Sequence, residues 1–368
     1  MHSLLTLMSI RGIGSVRARH LIEAFGSAQA VFDAPKEQLM QLGNIGQLII
    51  ERTSDPLTEK RIEEELQFIG KNRIRPLIYG QEGYPKRLLD CPDAPALLFQ
   101  LGNTLLDDQH IISIVGTRSC SQYGRDMVHR LVNDLHEAFP HLIVVSGLAL
   151  GIDIESHKAA LSCGARTVGV VAHGLDRIYP SQHRPVAKEM LLNQGSLITE
   201  YMTGTEPERG NFLARNRIIA GLADAVIVAE SKDKGGSLVT ASIALDYGRD
   251  VFAFPGRVGD ARSEGCNRLI RLNRAGLITC AQDFIEAMNW DTSHCQQKSI
   301  QRSIPFEEEN LSVNARLILD TLRDRGDLLL AQLADATHLD HATLYEELLD
   351  LEMDGKLRTT PGGLYQLR

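Results

Sequence analysis

The chain has no long apolar run. Stretches such as Ile111 to Val115 and Leu142 to Val145 fall far short of the roughly 20 residues that a transmembrane helix needs, so no membrane segment is expected. The first 20 residues also lack a basic start leading into an apolar stretch and a small-residue cleavage site, which sets the expectation of a cytoplasmic address. Cysteines are few and scattered. Cys91, Cys120, Cys163, Cys266, Cys280 and Cys295 form no CxxC and have no nearby histidine pair. Reduced thiols are therefore expected, with no zinc site, no disulfide framework and no cofactor.

A surplus of positive charge is missing too. With 39 basic and 47 acidic residues the formal net charge is −8, which at first sight argues against a polyanionic partner. The distribution says otherwise. Residues 305–368 hold 13 acidic and 6 basic residues, leaving 34 and 33 in the rest of the chain, so the body is neutral. Within it, the stretch Arg257 to Arg274 carries five arginines against Asp260 and Glu264, either a patch of local positive ground or a solvated face.

What is present divides the chain into four parts. Residues 1–70 read as short helices (Leu4 to Met8, Val16 to Phe25, Ala28 to Phe32, Glu37 to Gln41, Glu59 to Ile69) with two similar breaks, Gly12-Ile13-Gly14 and Asn44-Ile45-Gly46. Such a Gly-apolar-Gly turn either holds a phosphate on free backbone N–H groups, as in helix-hairpin-helix modules, or simply closes a small bundle. Residues 71–290 form the largest part. After an irregular, proline-bearing connector (Pro76 to Asn103), apolar segments at 111–115, 142–145, 167–171, 197–199, 225–229 and 251–254 recur with glycine-bearing loops and helical stretches between them. That rhythm predicts βαβ units and a parallel sheet covered on both faces. Residues 291–304 are polar and aperiodic, a linker. Residues 305–368 predict helices at Val313 to Leu322, Leu328 to Ala336 and Thr343 to Met353, then a hairpin turning at Pro361-Gly362-Gly363, the order of a winged helix.

In an open parallel sheet the loops after the strands carry the ligand. Gly116-Thr117-Arg118-Ser119 offers backbone donors, a helix N-terminus and a forked cation. The turn from Ser146 and Gly147 to Asp153 repeats the design, with Asp153 and His157 expected as a surface pair or cap rather than parts of a nucleophilic triad. Residues 202–217 predict a long loop carrying Arg209, Phe212, Arg215, Asn216 and Arg217, an aromatic among cations suited to single-stranded nucleic acid, although Phe212 equally suits a core. Lys234-Gly235-Gly236 with Ser237 as N-cap adds another anion nest. Successive nests without metal ligands or an acid-base pair suggest a track for several phosphates.

The segments IVGTRSCSQYG (114–124), VVSGLALGIDIESHKAAL (144–161), HGLDRIYP (173–180), RNRIIAGLADAVIVAE (215–230), GGSLVTASIALDYGRDVFAFPG (235–256) and GCNRLI (265–270) resemble the DNA-processing protein A family, DprA or Smf, over about residues 75 to 285. The resemblance implies an extended Rossmann-like core flanked by an N-terminal SAM-like helical domain and a C-terminal winged helix. It further implies a nonenzymatic protein that binds single-stranded DNA, protects incoming strands in natural transformation and loads the recombinase RecA past single-strand-binding protein. It also implies a homodimer joined through the last part of the core. Carried over by residue, the site comprises Arg118 of the GTR loop, Ser146 and Gly147 of the SGLA turn, Arg209 and Phe212 of the basic-aromatic segment, and Arg215, Asn216 and Arg217 of the RNR motif. Gly236 and Ser237 join them from the reading of the loops. The run RLNRAGL (271–277), where the family usually has a Gly-Ala pair, and Ile154 and Ser156 in place of small residues depart from the pattern.

Two other functions are compatible with parts of the chain. The GGSLVTA loop also resembles, more loosely, that of nucleotide phosphoribohydrolases of the lysine-decarboxylase-like group, but those need a glutamate close by, and the next carboxylate after Gly236 is Asp246. A transcription factor acting through the winged helix conflicts with Thr343 to Met353, which has Glu346, Glu347, Asp350 and Glu352 and no Lys or Arg. That domain is expected to contact proteins.

Overall fold

The computed structural model describes residues 1–10, 12–52, 56–107, 110–290, 312–360 and 363–367. The chain forms two compact units, Met1–Cys295 and Gln296–Arg368. The expected linker 291–304 and the Pro361-Gly362 portion of the expected turn lie outside the described residues.

The first unit begins with helices α1 (His2–Ser9), α2 (Ser15–Phe25), α3 (Ala28–Asp33), α4 (Lys36–Met40), α5 (Asn44–Arg52) and α6 (Pro56–Lys71). Ser27 caps α3 by accepting from Ala30 N–H. Asn44-Ile45-Gly46, expected as a turn, is instead the first turn of α5. The chain reverses one residue earlier, at Gly43 (φ +62°), and Gly46 lets helices α4 and α5 touch, since a Cβ there would sit 1.7 Å from the Leu39 carbonyl oxygen.

The supposed connector is also structured. It supplies β1 (Arg75–Ile78), the short α7 (Lys86–Leu89) and β2 (Leu97–Gly102), with β1 antiparallel to β2. Pro76 is tolerated because β1 is an edge strand, where a missing N–H costs little. Then come β3 (Ile111–Val115), α8 (Gln122–Ala138), β4 (Ile143–Ser146), α9 (Ile152–Cys163), β5 (Arg166–Val170), α10 (Arg184–Leu192) and β6 (Ser196–Thr199). They are followed by α11 (Arg209–Leu222), β7 (Ala225–Val228), α12 (Gly236–Asp246), β8 (Asp250–Ala253), α13 (Glu264–Arg271), β9 (Gly276–Leu277) and α14 (Ala281–Ala287).

Among the described residues the sheet runs β1-β2-β6-β5-β4-β3-β7-β8-β9. Pairing is parallel from β6 through β9 and antiparallel where β2 meets β6. The sheet is therefore mostly, not wholly, parallel. Alternate residues of β3 serve opposite faces: Ile111 and Val115 pack with Ile218 and Ala241 of α11 and α12, whereas Ile112 and Ile114 pack with Val128 of α8 and Ala160 of α9. Every β3 residue is buried, which is why the strand reads as a continuous apolar run. The N-terminal helices close over Leu97 and Phe99 of β2.

In the second unit, α15 (Val313–Arg325), β10 (Leu328–Leu329), α16 (Leu330–Thr337), α17 (His341–Met353), β11 (Leu357–Thr359) and β12 (Leu364–Leu367) form a winged helix. Its sheet order is β10-β12-β11, antiparallel throughout. Leu328 and Leu329, expected to open the second helix, pair with β12 instead, while Leu333, Leu344, Leu348 and Leu351 fill the core.

Candidate nucleic-acid interface

The strand order reverses between β3 and β7, so the chain segments leaving their carboxyl ends diverge and open a groove there. It encloses about 560 Å³. Gly116, Thr117 and Arg118 line it from the β3 side, Lys232, Lys234, Gly235 and Gly236 from the β7 side, and α11 forms a wall with Arg209, Phe212, Leu213 and Asn216. Arg118, Arg209, Lys232 and Lys234 are exposed cations, and Asp153 is the one carboxylate among the described lining residues. The site is thus positive within an acidic chain.

The N-terminus of α8 does not await a ligand anion. The buried Glu230 carboxylate accepts from the backbone N–H and hydroxyl of Ser121, whose Oγ also caps Gly124 N–H. Gly124 has no side chain because Glu230 fills that space. At the SGLA turn, Asp153 likewise accepts from the N–H groups of Gly147 and Ala149. These turns are closed on internal carboxylates, and the arginine they hold out, Arg118, remains for a partner. The two loops also interlock: Ile152 N–H donates to the Thr117 carbonyl, and Gly151 (φ +77°) passes so near that a Cβ would lie 2.1 Å from that oxygen.

Residues 202–217 were expected to be loop throughout, but α11 starts at Arg209. No side chain caps it, and its polar composition hides the period. Arg209, Phe212 and Asn216 recur at three- and four-residue spacing and so share the face that lines the groove. Phe212 is half-buried. The Arg118 guanidinium lies 5.5 Å from its ring centroid and that of Arg215 5.8 Å, both within cation–π range. Tyr179, 49% exposed, adds a second ring 5.9 Å away. Its backbone N–H donates to Nε2 of the buried His173, whose Nδ1 meets the Gly174 carbonyl at 2.9 Å, a pairing that needs the neutral imidazole. Burial lowers the His173 pKa accordingly. The segment leading into α11 is held by Glu65 of α6, which accepts from the backbone N–H and hydroxyl of Thr203.

Beneath the groove Arg215 is buried, with Nη1 donating to the Val170 carbonyl. Burial pulls its guanidinium down to about 10, opposed by Asp153, so it stays charged at neutral pH. Burial pushes the Asp153 carboxyl up against the pull of Arg215 and the turn's N–H groups. Gly147 makes room for this pair, since a Cβ would meet Arg215 Nη1 at 2.0 Å. Asp153 and His157 are therefore neither a surface pair nor a triad. His157 Nδ1 meets Thr167 Oγ1 at 2.7 Å, and Thr167 in turn donates to the Val144 carbonyl, which makes Nδ1 the donor. Nε2 is buried without a partner among the described residues, and burial drives the pKa down to about 3.

Of the residues singled out by sequence, Arg118, Arg209, Phe212, Arg215, Asn216, Gly236 and Ser237 come together on the groove. Ser146, Gly147 and Arg217 do not. Ser146 is fully buried and donates to the Ile114 carbonyl, and Arg217 points away to the buried Glu200 carboxylate. Ser237 is not the N-cap of α12. Gly235 holds that position, while Ser237 sits in the first turn and donates to Ser231 Oγ. The arginine-rich 257–274 stretch lies off the lining, with Arg268 paired to Asp233 at 2.8 Å. Sequence reading took in Lys234 with the glycine loop but missed Lys232, two residues before it and legible there. It also missed Asp153 and Tyr179, which distant segments bring in.

The model of DNA recombination-mediator protein A matches residues 75–289, and that of the DprA winged helix domain matches residues 306–363. The DNA processing protein DprA of Streptococcus pneumoniae is 43% identical over 202 residues, 55% of this chain and 70% of that protein. Protein Smf of Escherichia coli is 32% identical over 319 residues, 84% of this chain and 82% of its own length. The X-ray structure of the S. pneumoniae protein superposes with a TM-score of 0.66 at 32% identity, covering 78% of this chain and 97% of that one. A structure of DNA processing protein A from Helicobacter pylori, solved for its single-stranded DNA binding mode, gives a TM-score of 0.53 at 32% identity over 59% of this chain and 96% of the other.

Proposed function

The chain belongs to the family of DNA recombination-mediator protein A, and from that premise we propose that its groove binds single-stranded DNA without sequence preference. The observation that carries this reading is the half-buried Phe212 ring with Arg118 beside it, set among exposed Arg209, Lys232 and Lys234. A flexible polyanion wants cations for its phosphates and a ring for an unpaired base. Duplex has no free base face to offer. Fluorescence anisotropy with labelled oligo-dT, set against a duplex of equal length, tests it. Four exposed cations imply a log–log salt slope of roughly −3, or about a fiftyfold loss between 50 and 200 mM salt. Failure to bind oligo-dT at low ionic strength would refute the assignment.

In its finer form the proposal is a nonenzymatic cytoplasmic mediator that protects incoming strands in natural transformation and loads RecA past single-strand-binding protein. Self-association through the end of the core is supported by the exposed Leu272 and Leu277 at the β9 edge of the sheet. Light scattering and RecA filament assays on coated DNA test these parts. A phosphoribohydrolase needs a free carboxylate near the glycine loop. Asp153, the one carboxylate among the described lining residues, lies in the field of the Arg215 guanidinium and is engaged by two backbone N–H groups. Robust hydrolysis of a nucleoside monophosphate would overturn the nonenzymatic reading.

A further inference from the structure

In the winged helix, α17 occupies the place that in DNA-reading members of this architecture enters the major groove. Its chemistry is wrong for that. Leu344, Leu348 and Leu351 face the core, and the opposite side carries Tyr345, Leu349 and Met353, exposed at 56%, 59% and 79%. Spaced by four, they form one stripe about 12 Å long at 1.5 Å per residue. Exposed Glu346 and Asp350 run along one side of the stripe. A groove of about 390 Å³ between the start of α15 and the last turns of α17 continues the pattern, joining Met353 to Glu347, Asp350 and Asp354. Glu347 is fixed there by Ser312, whose hydroxyl donates to it at 2.6 Å.

We propose that this stripe and its acidic border dock an amphipathic helix of a partner protein, one with a row of leucine-like side chains flanked by Lys or Arg. The spacing of the apolar residues suits helix-on-helix packing. The carboxylates select for cations on the partner and against phosphate, and the domain as a whole carries 13 acidic and 6 basic residues over 305–368. Nothing in this assignment depends on the groove at β3 and β7.

The probe is a fluorescein-labelled 18-residue peptide of leucine and lysine at helical spacing, titrated into the full-length chain, with a leucine–glutamate peptide as counterpart. The expected result is saturable binding of the lysine peptide alone, weakened at least about tenfold by Leu349→Ser and by Asp350→Asn separately, with oligo-dT affinity unchanged. Both positions are exposed. Tyr345→Ser serves as a second apolar variant should Leu349→Ser melt early. Equal binding of the two peptides, or indifference to all three substitutions, overturns the assignment. So does loss of a dimer in light scattering with these variants, which would make the occupant a second copy, or loss of duplex DNA binding, which would return α17 to a recognition role.

Discussion

Arg118 and Phe212 touch the same space but should fail differently. Arg118→Ala removes a phosphate contact, so oligo-dT and mixed-sequence strands should weaken alike and the salt slope should become shallower by about 0.7. Phe212→Ala removes a stacking face worth about 1–3 kcal/mol, with the slope unchanged. Anisotropy titrations at several salt concentrations separate the two. His157 makes a prediction about pH. Its folded pKa lies near 3, below the ordinary 6.5, so in between the unfolded chain holds a proton that the folded chain refuses. Stability is therefore complete above about 6.5 and falls on acidification by up to about 1.4 kcal/mol per pH unit. His173, His110 and His136 are lowered in the same direction. Urea melts between pH 7 and 5 should show the decline, and His157→Gln should remove one proton's share of it. The cation and the ring were legible in sequence because an arginine after a glycine turn and an aromatic among arginines each have few structural uses. Arg217 misled because its partner, Glu200, arrives from another loop.

At the level of elements, the βαβ rhythm was legible because strands buried on both faces read as unbroken apolar runs. Helix α11 was not, since its groove face is polar by purpose and no capping residue announces it. Strands β1 and β2 were hidden by the prolines around them. The interlocked turns after β3 and β4 should act as one piece. Gly151→Ala would force a Cβ into the Thr117 carbonyl at a backbone conformation unsuited to alanine. We expect a loss of at least about 2 kcal/mol in chemical denaturation, together with weaker oligo-dT binding as Arg118 is displaced. Normal stability with normal affinity would show that the turns move independently.

The whole molecule separates its charge: a neutral body bears the positive groove, and the acidic surplus lies in the last 64 residues. Because the groove is built wholly within the first unit, a chain ending at residue 295 should keep oligo-dT affinity within about twofold of the full-length protein by anisotropy. A larger fall would assign the second unit a share in holding DNA. The carboxylate of Glu230, locked beneath the first turn, has one more implication. With the Thr117 and Ser121 N–H groups already held by the Glu230 carbonyl and carboxylate, that turn is braced from inside, and capture should need no prior rearrangement. Stopped-flow mixing should then register a single bimolecular phase whose rate climbs in proportion to protein concentration and never levels off.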